Sequence, residues 1–321
     1  LSALTGHAWA ACAVLFVILW GFLITRGVLL RFFDNSFTEA DAVSISMAGW
    51  VVPSLFLSMV VFGIALLFNA LTARFAGAVI ILASSLILIR NKPVRFPILI
   101  VTALLIPSII LRFAFIINIV LPSYFDSAEH YRLIQLLTES YRTGALSTGL
   151  TIVFYHLGFH SLTAFISHYL QIEIIDLMLV VGPLVLALLP FPFYFIVKRE
   201  TGSVPAAFFA CLLTGFGFHM PAHLMNWGKY PALLGFVAML FVFHLAYMLY
   251  RNDIFTNRKW VIILLSFAVL ASALIHSRTL VIFGLMCLAA LIMLEWKRQR
   301  VSFHTAAFIL LISLFVIEII A

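Results

Sequence analysis

A carboxylate and an imidazole lie one helical turn apart in a polar stretch of an otherwise apolar chain. When residues 124–142 are placed at helical intervals, one apolar stripe carries Asp126, His130, Leu133, Leu137 and Tyr141. A carboxylate on such a stripe is costly unless something pairs with it. With the adjacent Glu129, the two residues are therefore predicted to handle protons in catalysis. The alternatives are that Asp126 is a helix N-cap and that His130 is simply its partner.

Three cations could neutralise a phosphate near this carboxylate. Lys229 and Arg278 fall in short loops that separate apolar runs. Arg112 lies inside an apolar run, and an intramembrane arginine is a functional hypothesis by default. Its alternative role is to bind a buried carbonyl or carboxylate.

Histidines provide a second kind of chemistry. His156 and His160, and separately His219 and His223, are spaced i,i+4, which lets two imidazoles on one helical face bind one divalent metal ion. Pro221 makes a regular helix less certain around the second pair. Histidines that bind sugar, phosphate or each other are the alternative, so the need for a metal cofactor stays open.

Aromatic and amide side chains accompany Lys229 in the run 226–231. Trp227 and Tyr230, next to Asn226, could stack on a sugar ring. They could equally anchor the chain at the membrane interface, where such rings concentrate. Both interpretations remain open at this point.

The elements that position these residues must be transmembrane helices. The 321 residues are 64% hydrophobic and 10% charged, with a mean hydropathy of +1.19, which excludes a soluble globular protein. Each crossing needs roughly 20 apolar residues, and the composition predicts an all-α integral membrane protein with about ten transmembrane helices. The apolar runs are 8–30, 45–72, 75–90, 97–121, 177–197, 203–218, 231–250, 260–276, 280–296 and 304–321.

The positive charge of the chain indicates topology and gives no reason to expect a nucleic-acid partner. The net charge is +7, and the cations cluster in loops at 90–95, 198–199, 251–259 and 297–300, which are expected in the cytoplasm. An even number of crossings must then separate the first two loops, so residues 122–176 are predicted to form a long outer segment of juxtamembrane or re-entrant helices. Seven of the ten histidines fall on that outer side: 130, 156, 160, 168, 219, 223 and 276.

This topology divides the chain into three parts. Residues 1–96 are predicted to form N-terminal transmembrane helices, residues 97–300 a core that includes the outer segment, and residues 301–321 the start of another transmembrane helix. The chain begins at Leu1 and ends inside an apolar run, so it is expected to be a fragment of a longer protein.

Residues 124–142, followed by the run Tyr155-His-Leu-Gly-Phe-His160, resemble the first large outer loop of the GT-C fold glycosyltransferases. The run 226–231 and the turn 276–279 resemble a later outer loop and an outer His/Arg turn near the lipid phosphate in the same superfamily. These polytopic enzymes use sugars linked to a polyprenyl phosphate. The resemblance implies that Asp126 is a general base, or that it orients the acceptor hydroxyl or a metal.

The resemblance also implies which residues bind substrate. Cationic, aromatic and polar side chains are expected to contact the lipid-linked donor or the acceptor: Arg278, His276, Lys229, Tyr230, Trp227, Asn226, His160, Tyr155 and Arg112. The acceptor would be a glycan, a lipid or a protein.

The sequence therefore predicts a membrane glycosyltransferase that acts on the extracytoplasmic face of a prokaryotic plasma membrane. One alternative is a transporter or flippase for a lipid or small anion, in which Arg112 and the histidines line a pathway. Another is an accessory subunit of a larger membrane complex, in which Asp126 is merely structural.

Overall fold

The computed structural model describes residues 2–32, 37–89, 98–116, 119–122, 125–150, 155–217, 223–251 and 258–297. Every regular element in these residues is a helix. The helices are α1 Ser2–Phe32, α2 Glu39–Gly49, α3 Val51–Leu67, α4 Ala70–Ile89, α5 Ile98–Ile116, α6 Phe125–Thr143, α7 Gly158–Leu170, α8 Ile174–Leu188, α9 Pro192–Thr201, α10 Val204–Leu212, α11 His223–Asn226, α12 Tyr230–Arg251 and α13 Arg258–Lys297. A 3₁₀ turn at Thr148–Leu150 and a π-helical turn at Leu213–Gly217 complete them.

Within the described residues, four helical stretches are long and apolar enough to cross a membrane. They are His7–Arg31, Ile174–Thr201, Tyr230–Arg251 and Arg258–Ala289. A fifth is present if α2 and α3, which meet at an angle of 43°, count as one broken span. The prediction of an all-α membrane protein is thus confirmed, whereas the prediction of about ten spans is wrong for the described part of the chain.

Three of the apolar runs are not among these spans. Within the described residues, the runs 75–90, 97–121 and 203–218 coincide with shorter apolar helical stretches, Ala70–Leu86, Ala103–Ile116 and Val204–Gly217. Apolar sequence alone does not distinguish a short helix packed in the protein from one that crosses a membrane. The run 304–321 lies outside the described residues.

Two helices of the predicted outer segment are not among the spans. On α6 the predicted stripe is confirmed from His130 onward, because His130, Leu133, Leu137 and Tyr141 are buried while Arg142 is exposed. Asp126, its first member, is partly exposed. By contrast, α7 is buried from its first residue through its eleventh, so it lies inside the bundle and not on a membrane surface. Its packing against α3, α6, α12 and α13 explains how an apolar helix can carry two histidines.

Ion pairs mark one end of the bundle. Arg26 Nε lies 2.5 Å from Glu39 Oε1, and Lys198 Nζ lies 3.2 Å from Asp41 Oδ1. Arg251, the last residue of α12, is 3.4 Å from Glu200 at the same end. Because α12 begins at Tyr230, its N-terminal residues lie at the opposite end of the bundle.

α13 changes direction sharply at His276, whose backbone is extended (φ −163°, ψ 100°). A Cβ atom on Gly235 would lie 2.9 Å from the His276 Cβ, so the break is next to the start of α12. The Phe283 ring is nevertheless 6.5 Å from that of Phe243, eight residues further along α12. The second half of α13 therefore also packs beside α12, and the candidate span Arg258–Ala289 contains this break.

Candidate functional site

A cavity of about 820 Å³ lies where α6, the loop before α7, the α11–α12 turn and the break in α13 meet. Its polar lining is Asp126, Glu129, His130, Arg132, Tyr155, His156, Trp227, Lys229, His276, Ser277, Arg278 and Thr279. Its apolar lining is Leu133, Leu224, Ala232, Phe236 and Ile282. A volume of this size is typical of small-ligand sites.

Asp126 and Lys229 form an ion pair at the mouth of the cavity, with Lys229 Nζ 2.5 Å from Asp126 Oδ2. Both side chains are partly exposed, at 32% and 43%. α6 begins at Phe125, so Asp126 lies in its first turn and not at the residue before the helix. Its charge is favourable there because a helix N-terminus carries a partial positive charge. In the structure, Asp126 therefore pairs with Lys229 from another element and does not stand at the N-cap position.

Arg278 brings a second cation to the cavity from the residues just after the break in α13. Its side chain is exposed, and within the described part of the chain it makes no ion pair. Both charges act on the Tyr155 hydroxyl. Burial and Asp126 raise the pKa of this hydroxyl, while Arg278 lowers it. Asp126 and Arg278 thus act on the same group from different elements.

Three imidazoles line the cavity, those of His130, His156 and His276, and the fully buried His160, which was predicted to bind substrate, contacts His130 without lining it. His130 Nδ1 is 3.0 Å from His160 Nε2, and the ring centres of His156 and His276 are 4.5 Å apart. The predicted pairing of His156 with His160 on one helical face does not form, because α7 starts only at Gly158.

The structure does not assemble the predicted metal ligands into one set. In the described residues, no three His, Cys, Asp or Glu side chains are placed to hold one metal ion. His219 lies outside these residues, and the His223 ring packs against Trp227, with ring centres 4.5 Å apart.

Burial favours the neutral form of three imidazoles in and behind the cavity wall. It lowers the pKa of His130 to about 4, although the neighbouring Asp126 opposes the shift. Burial also lowers the pKa of His160 well below its usual value, and burial together with Arg278 lowers that of His156. Neutral imidazoles each offer one donor and one acceptor, so this wall can form hydrogen bonds without adding charge.

Other predicted site residues are placed elsewhere. The Arg112 guanidinium donates to the Gly215 carbonyl oxygen at 2.6 Å. Arg112 thus has the alternative role given above, in which it binds a buried carbonyl. Tyr230 is only 3% exposed, and its ring stacks on Phe159 with centres 6.0 Å apart. Neither residue lines the cavity, and neither does Asn226, the last residue of α11.

Glu129 lines the cavity but is already paired. It accepts two hydrogen bonds from the exposed Arg132 guanidinium, at 2.6 and 2.8 Å. These bonds are the main cause that lowers the pKa of Glu129. We conclude that Asp126 is the better placed of the two carboxylates to meet a ligand.

Sequence reasoning missed several cavity residues. Ser277 and Thr279 line it because α13 breaks at His276, and Thr279 Oγ1 donates to the His276 carbonyl oxygen at 2.6 Å. Ala232 and Phe236, one helical turn apart on α12, form part of the apolar wall. Their apolar character alone could not distinguish them from residues that face lipid.

Comparisons with protein-family models, with curated proteins and with solved structures found no match to this chain. The GT-C resemblance therefore stays a prediction from the sequence.

Proposed function

We propose that this protein is a membrane glycosyltransferase that moves a sugar from a polyprenyl-phosphate donor to an extracytoplasmic acceptor in this cavity. The observation that supports the proposal is the meeting of Asp126, Lys229 and Arg278, which come from three separate segments and line one cavity. A carboxylate beside two cations suits a reaction in which a hydroxyl loses a proton while a phosphate departs.

In the proposed reaction, the acceptor hydroxyl oxygen bonds to the anomeric carbon of the sugar. The bond between that carbon and the phosphate oxygen breaks, and its electron pair leaves on the polyprenyl phosphate. Asp126 takes the proton of the acceptor hydroxyl. Lys229 and Arg278 stabilise the charge of the departing phosphate.

The apolar wall supports a lipid-linked donor. Ala232 and Phe236 of α12 and Ile282 of α13, which belong to two of the candidate membrane spans, line the cavity. Further along the same two helices, the partly exposed Phe243 and Phe283 rings meet. We call the line of contact between α12 and α13 the seam. A polyprenyl phosphate whose hydrocarbon chain follows this seam would keep that chain in the bilayer and its phosphate at Lys229 and Arg278.

The distribution of charge supports an outward-facing site. The cavity lining holds three cations, Arg132, Lys229 and Arg278. More basic residues lie at the other end of the bundle: Arg26, Arg31, Lys198, Arg199, Arg251 and Arg258. Because basic residues collect on the cytoplasmic side of membrane proteins, we place the cavity on the extracytoplasmic face of a prokaryotic plasma membrane.

The proposal is tested by transfer from a polyprenyl-phosphate sugar in proteoliposomes. We expect wild-type protein to transfer sugar and Asp126→Asn to lose at least about 100-fold in rate, since a general base typically contributes 10²–10⁴-fold. Glu139→Gln is the matched control, because Glu139 is on the exposed face of the same helix and pairs with Arg142. Equal rates for Asp126→Asn and wild type would remove the catalytic role, and lipid movement without sugar transfer would indicate a flippase instead.

A further inference from the structure

Trp227 is an exposed aromatic side chain that lines the cavity. It is 41% exposed, whereas Tyr230, the other aromatic residue of the run 226–231, is buried and stacks on Phe159. Tryptophan is common at the membrane interface, where its ring anchors the chain. The place of Trp227 in the lining of a polar cavity instead exposes its ring to a ligand in that cavity.

The end of α11 fixes where Trp227 and Lys229 lie. The Lys229 N–H donates to the Leu224 carbonyl oxygen at 2.9 Å. The Gly228 N–H donates to the Met225 carbonyl oxygen at 3.2 Å, and Gly228 has a left-handed backbone with φ +67°. These two bonds and the glycine form a Schellman motif, which ends a helix in a defined turn. Trp227 and Lys229 therefore stand on either side of one fixed glycine, and both line the cavity.

A single ring contact supports the indole of Trp227 and leaves a face of it open. His223 lies one helical turn earlier, and the two rings meet edge-on, with centres 4.5 Å apart and planes at 69°. A contact of this kind covers at most one face of the indole. By contrast, the Tyr155 ring has centres only 4.0 and 5.6 Å from those of His156 and His160. Trp227 is therefore the aromatic side chain of the polar lining that is best placed to stack on a ligand.

We infer that Trp227 stacks on a pyranose ring that is bonded to a lipid phosphate, and that it makes the cavity prefer the sugar-carrying lipid over the bare lipid phosphate. The identity of this ligand rests on the proposed function. A pyranose presents C–H groups on its faces, and their partial positive charge is attracted to the negative face of an aromatic ring. Lys229, two residues further along, would bind the phosphate of the same ligand.

This arrangement places the bond that breaks in the proposed reaction. A sugar bonded directly to a phosphate suits an aromatic ring and a cation held on either side of one glycine. The bond between the anomeric carbon and the phosphate would then lie between Trp227 and Lys229. Asp126 Oδ2 is 2.5 Å from Lys229 Nζ, so the proposed base is next to this bond.

Binding of two lipids to protein in nanodiscs tests the inference. The probes are polyprenyl phosphate that carries glucose and the same polyprenyl phosphate without sugar. We expect Trp227→Leu to weaken binding of the glucose-carrying lipid about tenfold, the scale of one aromatic contact, and to leave binding of the sugar-free lipid unchanged. Trp227→Phe keeps an aromatic face and should retain most of the affinity. Unchanged affinity of Trp227→Leu for the glucose-carrying lipid, or equal losses for both lipids, would overturn the inference.

Trp9→Leu is the matched control for an anchor at the membrane interface. Trp9 is 56% exposed on α1 and is not part of the cavity lining. It lies two residues from His7, which pairs with Asp176 near the start of the candidate span Ile174–Thr201. This is the end of the bundle opposite the ion pairs of Lys198 and Arg251. Trp9→Leu should change binding of neither lipid, and losses equal to those of Trp227→Leu would show that Trp227 acts only as an anchor.

An assay of sugar transfer separates this inference from the proposed function. If Trp227→Leu loses affinity only for the glucose-carrying lipid while wild type transfers no sugar, the sugar site stands and the transferase fails. If wild type transfers sugar and Trp227→Leu binds both lipids normally, the transferase stands and the sugar site fails. Binding of neither lipid by wild type would overturn both. Binding of the sugar-free lipid shows that a variant is folded, and Trp227→Gln makes the same comparison if Trp227→Leu does not fold.

Discussion

If the cavity binds a lipid phosphate, Lys229 would contact two anions, the Asp126 carboxylate and the phosphate. In the structure its ammonium group lies 2.5 Å from the Asp126 carboxylate. A phosphate that also contacts Lys229 would share that ammonium group and draw it away from Asp126. The carboxylate would then be freer to accept a proton. Binding of the donor would in this way prepare the base for the acceptor.

The neutral His130 makes stability depend on pH. The pKa of His130 is about 4 in the folded protein, against 6.5 for an unperturbed histidine, and the largest cause is burial. Between these values the unfolded chain binds a proton that the folded chain does not. The free energy of unfolding therefore falls as the pH decreases from 6.5 to 4, by up to about 1.4 kcal/mol per pH unit for this group.

We expect His130→Gln to lose less stability than wild type between pH 6.5 and 4.5, because glutamine does not titrate. Thermal unfolding in detergent at several pH values measures the difference. His156 and His160 act in the same direction in both proteins, so some pH dependence should remain. Parallel pH profiles for the two proteins would contradict the buried neutral state of His130.

At the scale of elements, the position of the α13 break depends on α7. A Cβ atom on Gly158 would lie 2.7 Å from the Leu274 carbonyl oxygen and 2.9 Å from the Ile275 nitrogen. These are backbone atoms next to His276, and backbone cannot move aside as the end of a flexible side chain can. Gly158 therefore lets α7 approach the break closely enough for His156 and His276 to meet.

Gly158→Ala should destabilise the protein by about 1–3 kcal/mol, the usual cost of overpacking. Gly63→Ala in α3 is the control, since a Cβ atom there would have no neighbour within 4 Å. That change should be neutral or stabilise by up to about 1 kcal/mol, because alanine favours helix. Thermal unfolding compares the two variants. A Gly158→Ala variant as stable as wild type would show that α7 and α13 are not in close contact.

The seam between α12 and α13 should select ligands by tail length. Ala232→Phe would fill space at the apolar wall and leave both cations in the sequence. We expect it to weaken binding of a long-chain polyprenyl phosphate at least tenfold and to leave binding of a short water-soluble alkyl phosphate unchanged. Ala78→Phe on the exposed face of α4 should change neither. Equal effects on the two ligands would place the tail elsewhere.

Viewed as a whole molecule, the chain has two ends of different chemistry. Single cysteines can locate them once Cys12, Cys211 and Cys287 are replaced. We expect Ser277→Cys, at the cavity, to react with a membrane-impermeant maleimide in intact bacterial cells. Thr201→Cys, near the Glu200–Arg251 pair, should react only after the cells are opened. The reverse pattern would place the cavity in the cytoplasm.

The sequence predicted parts of this architecture that depend on local pattern. Helical periodicity placed His130 and Tyr141 on the buried face of α6, and charge placed Asp126 with Lys229 and Arg278 as members of one site. Apolar content could not distinguish a short packed helix such as Val204–Gly217 from a crossing, so the number of spans was overstated for the described residues. Nor could it show that Arg112 contacts a carbonyl oxygen 103 positions away, since such contacts depend on how helices pack.

The central claim is that Lys229 and Arg278 together bind the phosphate of a lipid-linked sugar. Binding of radiolabelled polyprenyl phosphate to protein in nanodiscs tests it most directly. Lys229→Met and Arg278→Gln should each weaken binding by about tenfold or more, the loss expected for a hydrogen bond to a charged group. Arg142→Gln, which removes an exposed cation paired with Glu139, should leave binding unchanged. Equal affinity in all four proteins, or none in wild type, would contradict the account.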